Sequence, residues 1–162
     1  MNESICLYVI DTDSQRASQL RQELAVLSDV RVVQSYADAV SESGGLDVLL
    51  VPLMSAIEWG AISPPAPLYQ TQVIKVPSFE ISKGRPDYAI PGVAMRPDEE
   101  LAPQDSTRLV LRETLRAIRA FNKGNPHKLA KVGAPSVSLG FDKLARGEAR
   151  SLLSEAYAET SL

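Results

Sequence analysis

The chain has very few of the residues that build metal and thiol chemistry. Its 162 residues include one cysteine, Cys6, and one histidine, His127. A zinc site made of cysteine and histidine needs about four such ligands, so the count excludes one. A single cysteine also excludes an internal disulfide, and a Cys–His nucleophilic pair would require these two residues to meet. The cysteine usage is typical of a reducing compartment, and we expect a cytoplasmic protein.

Long apolar runs and a strong net charge are missing as well. No hydrophobic stretch approaches the ~20 residues that span a bilayer, and the opening MNESICLY lacks the layout of a signal peptide, so no membrane association is expected. The net charge of −3 argues against a protein that mainly neutralises nucleic-acid phosphates. Hydrophobic residues make up 44% of the chain and charged residues 23%, and residues 1–162 fit one globular domain.

What the sequence does contain is an alternation of strands and helices. Apolar, β-branched segments predict strands that begin near Ile5, Val30, Val48, Val73, Ala89 and Leu129. Helical periodicity predicts one helix capped by Asp13 or Ser14, one at about 106–122 and one at the end of the chain, while SESGG (41–45) is predicted as a loop. The alternation predicts an α/β fold of three layers, α/β/α, with a mixed, mainly parallel sheet of about six strands.

The acids at the end of the first strand suggest one specific hypothesis. Asp11 and Asp13 follow ICLYVI, as paired acids follow the first strand of phosphoreceiver domains, where they hold Mg²⁺. A receiver also needs a phosphoacceptor carboxylate after its third strand. That position is Pro52, which offers neither a nucleophile nor a metal ligand. The receiver hypothesis is therefore rejected, and helix capping is the simpler role for the two acids.

A late segment resembles a known family. The stretch VGAPSVSLGFDKLARGEA (132–149) resembles the phosphate loop of macro domains, in which a strand ends in Pro-x-Ile-Ser-x-Gly before a helix. Small residues in such a loop let backbone amides approach an anion, and the following helix points its positive end at the phosphates. The residues in the motif positions are Pro135, Val137, Ser138 and Gly140, and Phe141 follows where the distal ribose of the ligand lies in the family.

The resemblance extends over nearly the whole chain and implies both a fold and a ligand. It implies a single macro-like domain that binds ADP-ribose or a related nucleotide. We expect no cofactor, no metal and, for the reason given below, no catalytic residue. The first macro loop falls on VPLMSAIEWGA after the third strand, and the adenine-recognition position falls near QSYAD. The ligand-binding residues that the resemblance implies are Tyr36, Asp38, Met54, Ser55, Gly60, Ser136, Ser138, Gly140 and Phe141.

Departures from the family pattern leave other functions open. The ribose-binding and often catalytic asparagine falls on Met54, whose thioether is only a weak acceptor and cannot position a water. We therefore expect binding without hydrolysis. One alternative is a macro-like fold that acts through protein contacts without a nucleotide. The other is an ADP-ribosyl hydrolase, with Asp11, Asp38 or Glu58 to activate a water. The helix at 106–122 carries a row of arginines, a solvated or a partner-docking face, made of Arg108, Arg112, Arg116 and Arg119.

Overall fold

A computed structural model describes residues 4–51, 73–75, 88–91 and 102–160 of the chain. Within these ranges the chain alternates between strands and helices. The strands are β1 (Cys6–Ile10), β2 (Val30–Val33), β3 (Val48–Val51), β4 (Ile74–Lys75), β5 (Tyr88–Pro91) and β6 (Lys131–Pro135). The helices are α1 (Ser14–Leu24), α2 (Tyr36–Ser43), α3 (Pro103–Gly124) and α4 (Glu148–Thr160), and a 3₁₀ turn spans Phe141–Lys143.

The strands form one sheet in the order β2-β1-β6-β3-β5-β4. The first five strands of this order are parallel, and the two-residue β4 pairs antiparallel with β5. The predicted α/β class and the mainly parallel sheet are confirmed. Strand β6, the last in the chain, lies between β1 and β3. This position differs from the flavodoxin-like order 2-1-3-4-5, and it agrees with the rejection of the receiver hypothesis.

Helices cover both faces of the sheet, which makes three layers. Because side chains alternate along a strand, Leu7 and Val9 of β1 point into a large core with α1, α3 and α4. Tyr8 points to the opposite face, where a smaller cluster includes Ala39 of α2 and Leu46. Strands buried on both faces have continuous apolar sequences, and this explains why VLLV and LYV show no polar alternation.

Helix α2 corrects the prediction of a loop at residues 41–45. The Ser35 hydroxyl caps this helix by accepting from the Asp38 amide at 3.0 Å, and the helix continues to Ser43. Gly44 then ends it with a φ of 77°, in the left-handed region that glycine adopts without steric cost. The spacing Ser-x-x-Asp before an apolar residue is the signal for this short helix, and the prediction overlooked it.

The other helices agree with the sequence patterns in position and in buried face. Asp13 caps α1 by accepting from the Arg16 amide at 3.0 Å, which confirms one of the two predicted caps. Ala17, Leu20 and Leu24 of α1 are buried, as their spacing predicts. Helix α3 extends the predicted helix at both ends. No helix among the described residues is long and apolar enough to cross a membrane.

Polar side chains hold together the amino edge of the sheet, by which we mean the side at which the parallel strands begin; the carboxyl edge is the side at which they end. One oxygen of the Asp47 carboxylate accepts from the amides of Ala130 at 2.8 Å and of Lys131 at 2.9 Å. The buried Asn122 amide accepts from the Leu129 amide at 2.8 Å and donates to the Leu129 carbonyl at 3.0 Å. These bonds hold the segment that enters β6. They fix the register of β6, and hence the position of its other end, where the candidate site lies.

Candidate ligand site

The carboxyl ends of β1 and β6 are neighbours at the point in the sheet where the connections between strands run in opposite directions. From β1 the chain continues to β2 on one side of the sheet, whereas from β3 it continues toward β5 on the other side. In open α/β sheets, ligands bind in the crevice beyond the carboxyl ends of the strands at such a topological switch point. The two residues that follow β1 and β6 directly are Asp11 and Ser136. Both are buried and polar.

Asp11 is the centre of a hydrogen-bonded cluster. Its Oδ2 accepts from Arg16 Nε at 2.6 Å and from Ser136 Oγ at 2.5 Å. Its Oδ1 accepts from the backbone amide of Asp13 at 2.9 Å. The residue is 2% exposed, so its charge needs these partners to offset the loss of water. The cluster joins β1, the start of α1 and the end of β6.

The partners of Asp11 decide its protonation. Burial raises the pKa of this carboxyl group, but the hydrogen bonds from Arg16, Ser136 and the Asp13 amide outweigh burial and hold the pKa below its ordinary value. The hydrogen bond to Asp11 in turn raises the pKa of the Arg16 guanidinium. Both groups are charged at neutral pH. A carboxylate held this way is a poor proton acceptor, so the cluster is not suited to general-base catalysis.

Of the three side chains that meet in the cluster, that of Arg16 reaches solvent. Its side chain is 36% exposed, against 1% for that of Asp11. Only Nε is engaged: among the described residues, no group accepts a hydrogen bond from its two terminal nitrogens. The Asp11 carboxylate therefore orients the guanidinium, and within the described ranges the terminal nitrogens have no acceptor. Arginine presents parallel N–H groups that match a phosphate or a carboxylate in geometry.

The loop after β6 is built from tight turns. The amides of Ser138, Leu139, Gly140 and Phe141 donate to carbonyls of residues 135–137 at 3.0–3.2 Å. These four amides are therefore used within the loop. The predicted use of backbone amides near Gly140 to hold an anion has no support in this geometry, because an amide already bonded to a carbonyl has little left to donate.

Helix α3 fixes the far end of this loop. The Thr107 hydroxyl donates to the Leu139 carbonyl at 2.7 Å. Gly140 has a φ of 77°, and a Cβ placed on it would lie 2.7 Å from Thr107 Oγ1. Leu139 and Phe141 are both buried in the large core. The loop is thus anchored at both ends, with Val137, which is 59% exposed, at its tip.

The structure places six of the nine predicted ligand-binding residues; Met54, Ser55 and Gly60 lie outside the described residues, as does Glu58. The placed residues follow β2 or β6, so all six lie at the same edge of the sheet as Asp11. Tyr36 is half-buried at the start of α2, and Asp38 is exposed and lines a cleft of about 220 Å³ with Arg21 and Gln34. The other four form the loop after β6: Ser136, Ser138, Gly140 and Phe141.

Burial limits what the loop residues can contact. Ser136 is 1% exposed and Phe141 is 4% exposed. Ser136 donates to Asp11, and Phe141 packs in the core, so both support the loop. Ser138 and Gly140 are half-buried and lie beside the exposed tip.

Three residues of this site were not predicted from the sequence. Arg16 is the partly exposed cation beside Asp11, Thr107 holds the loop, and Asp142 adds a negative charge that acts on the Arg16 guanidinium. For Arg16 the sequence did hold a signal. Asp11 follows a strand and Arg16 lies in the first turn of the next helix. Only a few residues connect the two elements, so the two side chains lie at the same edge of the sheet. Nothing in the local sequence indicates the contact of Thr107.

Metal binding has no support in the part of the chain that the structure describes. These residues contain no group of three or more histidine, cysteine, aspartate or glutamate side chains that could hold a metal ion. Comparisons of the chain with family models, with curated proteins and with solved structures give no match. The functional argument therefore depends on the geometry of the carboxyl edge and on the sequence resemblance.

Proposed function

We propose that this protein is a macro-like binding module that takes ADP-ribose or a related nucleotide at the carboxyl edge of the sheet, with Arg16 at a phosphate. The observation that carries the proposal is the guanidinium of Arg16, which a buried carboxylate fixes at the switch point of the sheet and which ends in solvent. An arginine held in one rotamer loses less conformational entropy when a ligand binds. The resemblance of residues 132–149 to a phosphate loop supports a nucleotide as the ligand.

The same geometry supports binding without catalysis. Asp11 is ionised and has three hydrogen-bond donors around it, and a group with a lowered pKa is a weak base at neutral pH. Ser136 is too buried to reach a ligand as a nucleophile. The prediction that Met54 cannot position a water points in the same direction. Purified protein is expected to show no turnover of ADP-ribosylated protein, and multiple turnover that Glu58→Ala abolishes would refute this.

A second candidate function follows from the loop. Because the amides of residues 138–141 are bonded within the loop, the loop can serve as a rigid contact surface instead of an anion cradle. Its tip residue, Val137, is 59% exposed and offers an apolar side chain to a partner. In this case the protein acts through protein contacts and binds no nucleotide.

Calorimetry separates the two candidates. The ligands are ADP-ribose, NAD and AMP, titrated into the wild type, Arg16→Gln and Arg150→Gln. Glutamine at position 16 keeps an N–H donor for Asp11 but loses the charge, and Arg150 is an exposed arginine of α4 that serves as the matched control. We expect binding by the wild type and the control, and affinity at least about tenfold weaker in Arg16→Gln, since one charge-assisted contact contributes about 1.5–3 kcal/mol and about 1.4 kcal/mol corresponds to tenfold.

Two results would count against nucleotide binding. If folded wild type binds none of the three compounds, protein contact becomes the better function. If it binds them and Arg16→Gln binds equally well, the ligand lies elsewhere on the molecule.

A further inference from the structure

Strand β2 is the first strand in the order of the sheet, and in the described part of the chain it pairs with β1 alone. The direction of its backbone groups alternates along the strand. The carbonyls of Asp29 and Val33 accept from amides of the β1 segment at 2.8 and 2.9 Å. The backbone groups of Val30 and Val32 therefore point away from the sheet. We call this outward side of β2 the β2 border.

The β2 border is a surface to which another strand could add. A strand at the side of a sheet presents a row of backbone donors and acceptors, and such a row pairs readily with a second chain. The sequence of β2 is VRVV, and β-branched residues of this kind favour strands. Val32, Val33 and Gln34 line the cleft of about 220 Å³ described above. Among the described residues, this end of the border is therefore accessible.

Two arginines bond to the outward carbonyls of β2. Arg21, in the last turn of α1, donates from Nη2 to the Val32 carbonyl at 3.3 Å. Arg31 donates from Nη1 to the Val30 carbonyl at 3.1 Å and also to a carbonyl of the turn before β2 at 2.9 Å. The Val30 amide donates to the same turn at 3.3 Å. The outward backbone group that remains for another strand is the Val32 amide.

A second copy of the chain is the strand partner whose fit can be derived from β2 itself. In antiparallel pairing about a two-fold axis through Val32, the Val32 amide of each copy donates to the Val32 carbonyl of the other. Both bonds need the carbonyl that accepts from Arg21 in the single chain. The Arg21 guanidiniums of the two copies would also meet close to the axis, and two like charges that approach each other disfavour the pairing.

We infer that Arg21 and Arg31 close the β2 border and prevent two copies of the chain from pairing through β2. Charged side chains on an edge strand are a general means of preventing such pairing. Here the guanidiniums occupy the outward acceptors and also bring like charges into the contact. The inference concerns the side of the sheet and does not depend on the proposed nucleotide site.

Analytical ultracentrifugation of two matched double variants tests the inference. Arg21→Ala with Arg31→Thr removes both guanidiniums from the β2 border, and Arg146→Ala with Arg150→Ala removes two exposed arginines elsewhere. Each pair changes the net charge from −3 to −5, so a general effect of charge is controlled. We expect the first variant to dimerise with a constant at least about tenfold larger than that of the wild type or the control, which corresponds to about 1.4 kcal/mol. The freed carbonyls give the paired strands two more hydrogen bonds, and the like charges at the axis are gone.

Hydrogen exchange locates the contact. As the protein concentration rises, the Val32 amide of the Arg21→Ala, Arg31→Thr variant should exchange more slowly, and that of the control should not change. A dimer without this protection would contradict the inference, as would a variant that stays as monomeric as the control. A wild type that already dimerises with the Val32 amide protected would also contradict it. If circular dichroism shows that the double variant is unfolded, Arg21→Ala alone decides by the same measurements, because it removes the guanidinium closest to the axis.

Discussion

The two edges of the sheet each hold an aspartate in a hydrogen-bonded position, and the two aspartates have different kinds of partners. At the amino edge, Asp47 accepts from the backbone amides of Ala130 and Lys131. At the carboxyl edge, Asp11 accepts from two side chains, Arg16 and Ser136, and from one amide. The hydrogen bonds of Asp47 go only to backbone groups. Those of Asp11 include the long side chain of Arg16, which is 36% exposed.

This difference separates polar groups that bond to the backbone from a cluster that includes a partly exposed cation. At the amino edge the neighbours also bond to the backbone: Asn122 pairs with both polar groups of Leu129, and Lys131 donates to the Ser43 carbonyl. Such bonds satisfy backbone groups at the amino edge. At the carboxyl edge, no residue in the described part of the chain accepts from the terminal nitrogens of Arg16. The buried Asp11 carboxylate orients the more exposed Arg16 guanidinium. Stability alone does not explain such a pair, because apolar residues of similar volume are often at least as stable as a buried ion pair.

The largest effect is expected when each aspartate is replaced by alanine. Asp11→Ala leaves Arg16, Ser136 and the Asp13 amide without their acceptor, and we expect a loss of about 2–3 kcal/mol in the free energy of unfolding. This is below the usual cost of breaking a fully buried pair, because Arg16 is 36% exposed and water can replace part of the interaction. Asp47→Ala, at a half-buried position, should cost about 1–2 kcal/mol.

Urea unfolding of the two variants measures the comparison directly. The midpoints should shift with little change in the slope, since neither substitution alters the surface exposed on unfolding. Equal midpoint shifts for Asp11→Ala and Asp47→Ala would contradict the expectation that the Asp11 cluster contributes more to stability than the bonds of Asp47.

A smaller effect is expected at the loop that follows β6. Gly140→Ala should destabilise the protein by about 2 kcal/mol, because a positive φ costs alanine about 1–2 kcal/mol and the new Cβ would press on Thr107 Oγ1. Gly124→Ala is the matched control. Gly124 ends α3 with no atom within 4 Å of an added Cβ, and we expect a change within about 0.5 kcal/mol. Thermal unfolding of both variants tests this, and a loss in the control as large as in Gly140→Ala would contradict the steric argument.

The sequence predicted the elements whose signals are local. Strand β1 and helix α1 follow from an apolar run and from leucines at helical spacing, and Asp13 was one of two predicted caps. Helix α2 was overlooked because eight residues give barely two turns of periodicity, so its caps carry most of the information. The placement of β6 between β1 and β3 depends on contacts between distant segments, which no local pattern encodes.

The candidate site was predicted in part for the same reason. Asp11 and the loop after β6 were both singled out as strand-end features of the sequence. Their contact joins residues 125 positions apart, and it exists only because β1 and β6 are neighbours in the sheet. Burial also changed the roles: Ser136 and Phe141 were predicted to face a ligand, whereas the first bonds to Asp11 and the second packs in the core. Burial depends on the whole fold.

The smallest effect is expected from Ser136→Ala, and its pH dependence sharpens the comparison of the two edges. The Ser136 hydroxyl donates to the ionised form of Asp11, so its loss should cost about 1–2 kcal/mol at neutral pH and raise the pKa of Asp11 toward its ordinary value. A carboxyl group with a lowered pKa in the folded protein stabilises it at every pH above the pKa of the unfolded chain, about 3.9 for aspartate. This stabilisation is lost as the pH falls through the lower, folded value.

The difference in the free energy of unfolding between wild type and Ser136→Ala should therefore be constant from neutral pH to about 5 and should shrink below about 4. Urea midpoints measured at several pH values give the curve, with Ser151→Ala, an exposed serine of α4, as the control for hydroxyl loss. A difference that stays the same down to the lowest pH at which the protein is folded would show that Ser136 contributes by packing and not through the charge of Asp11.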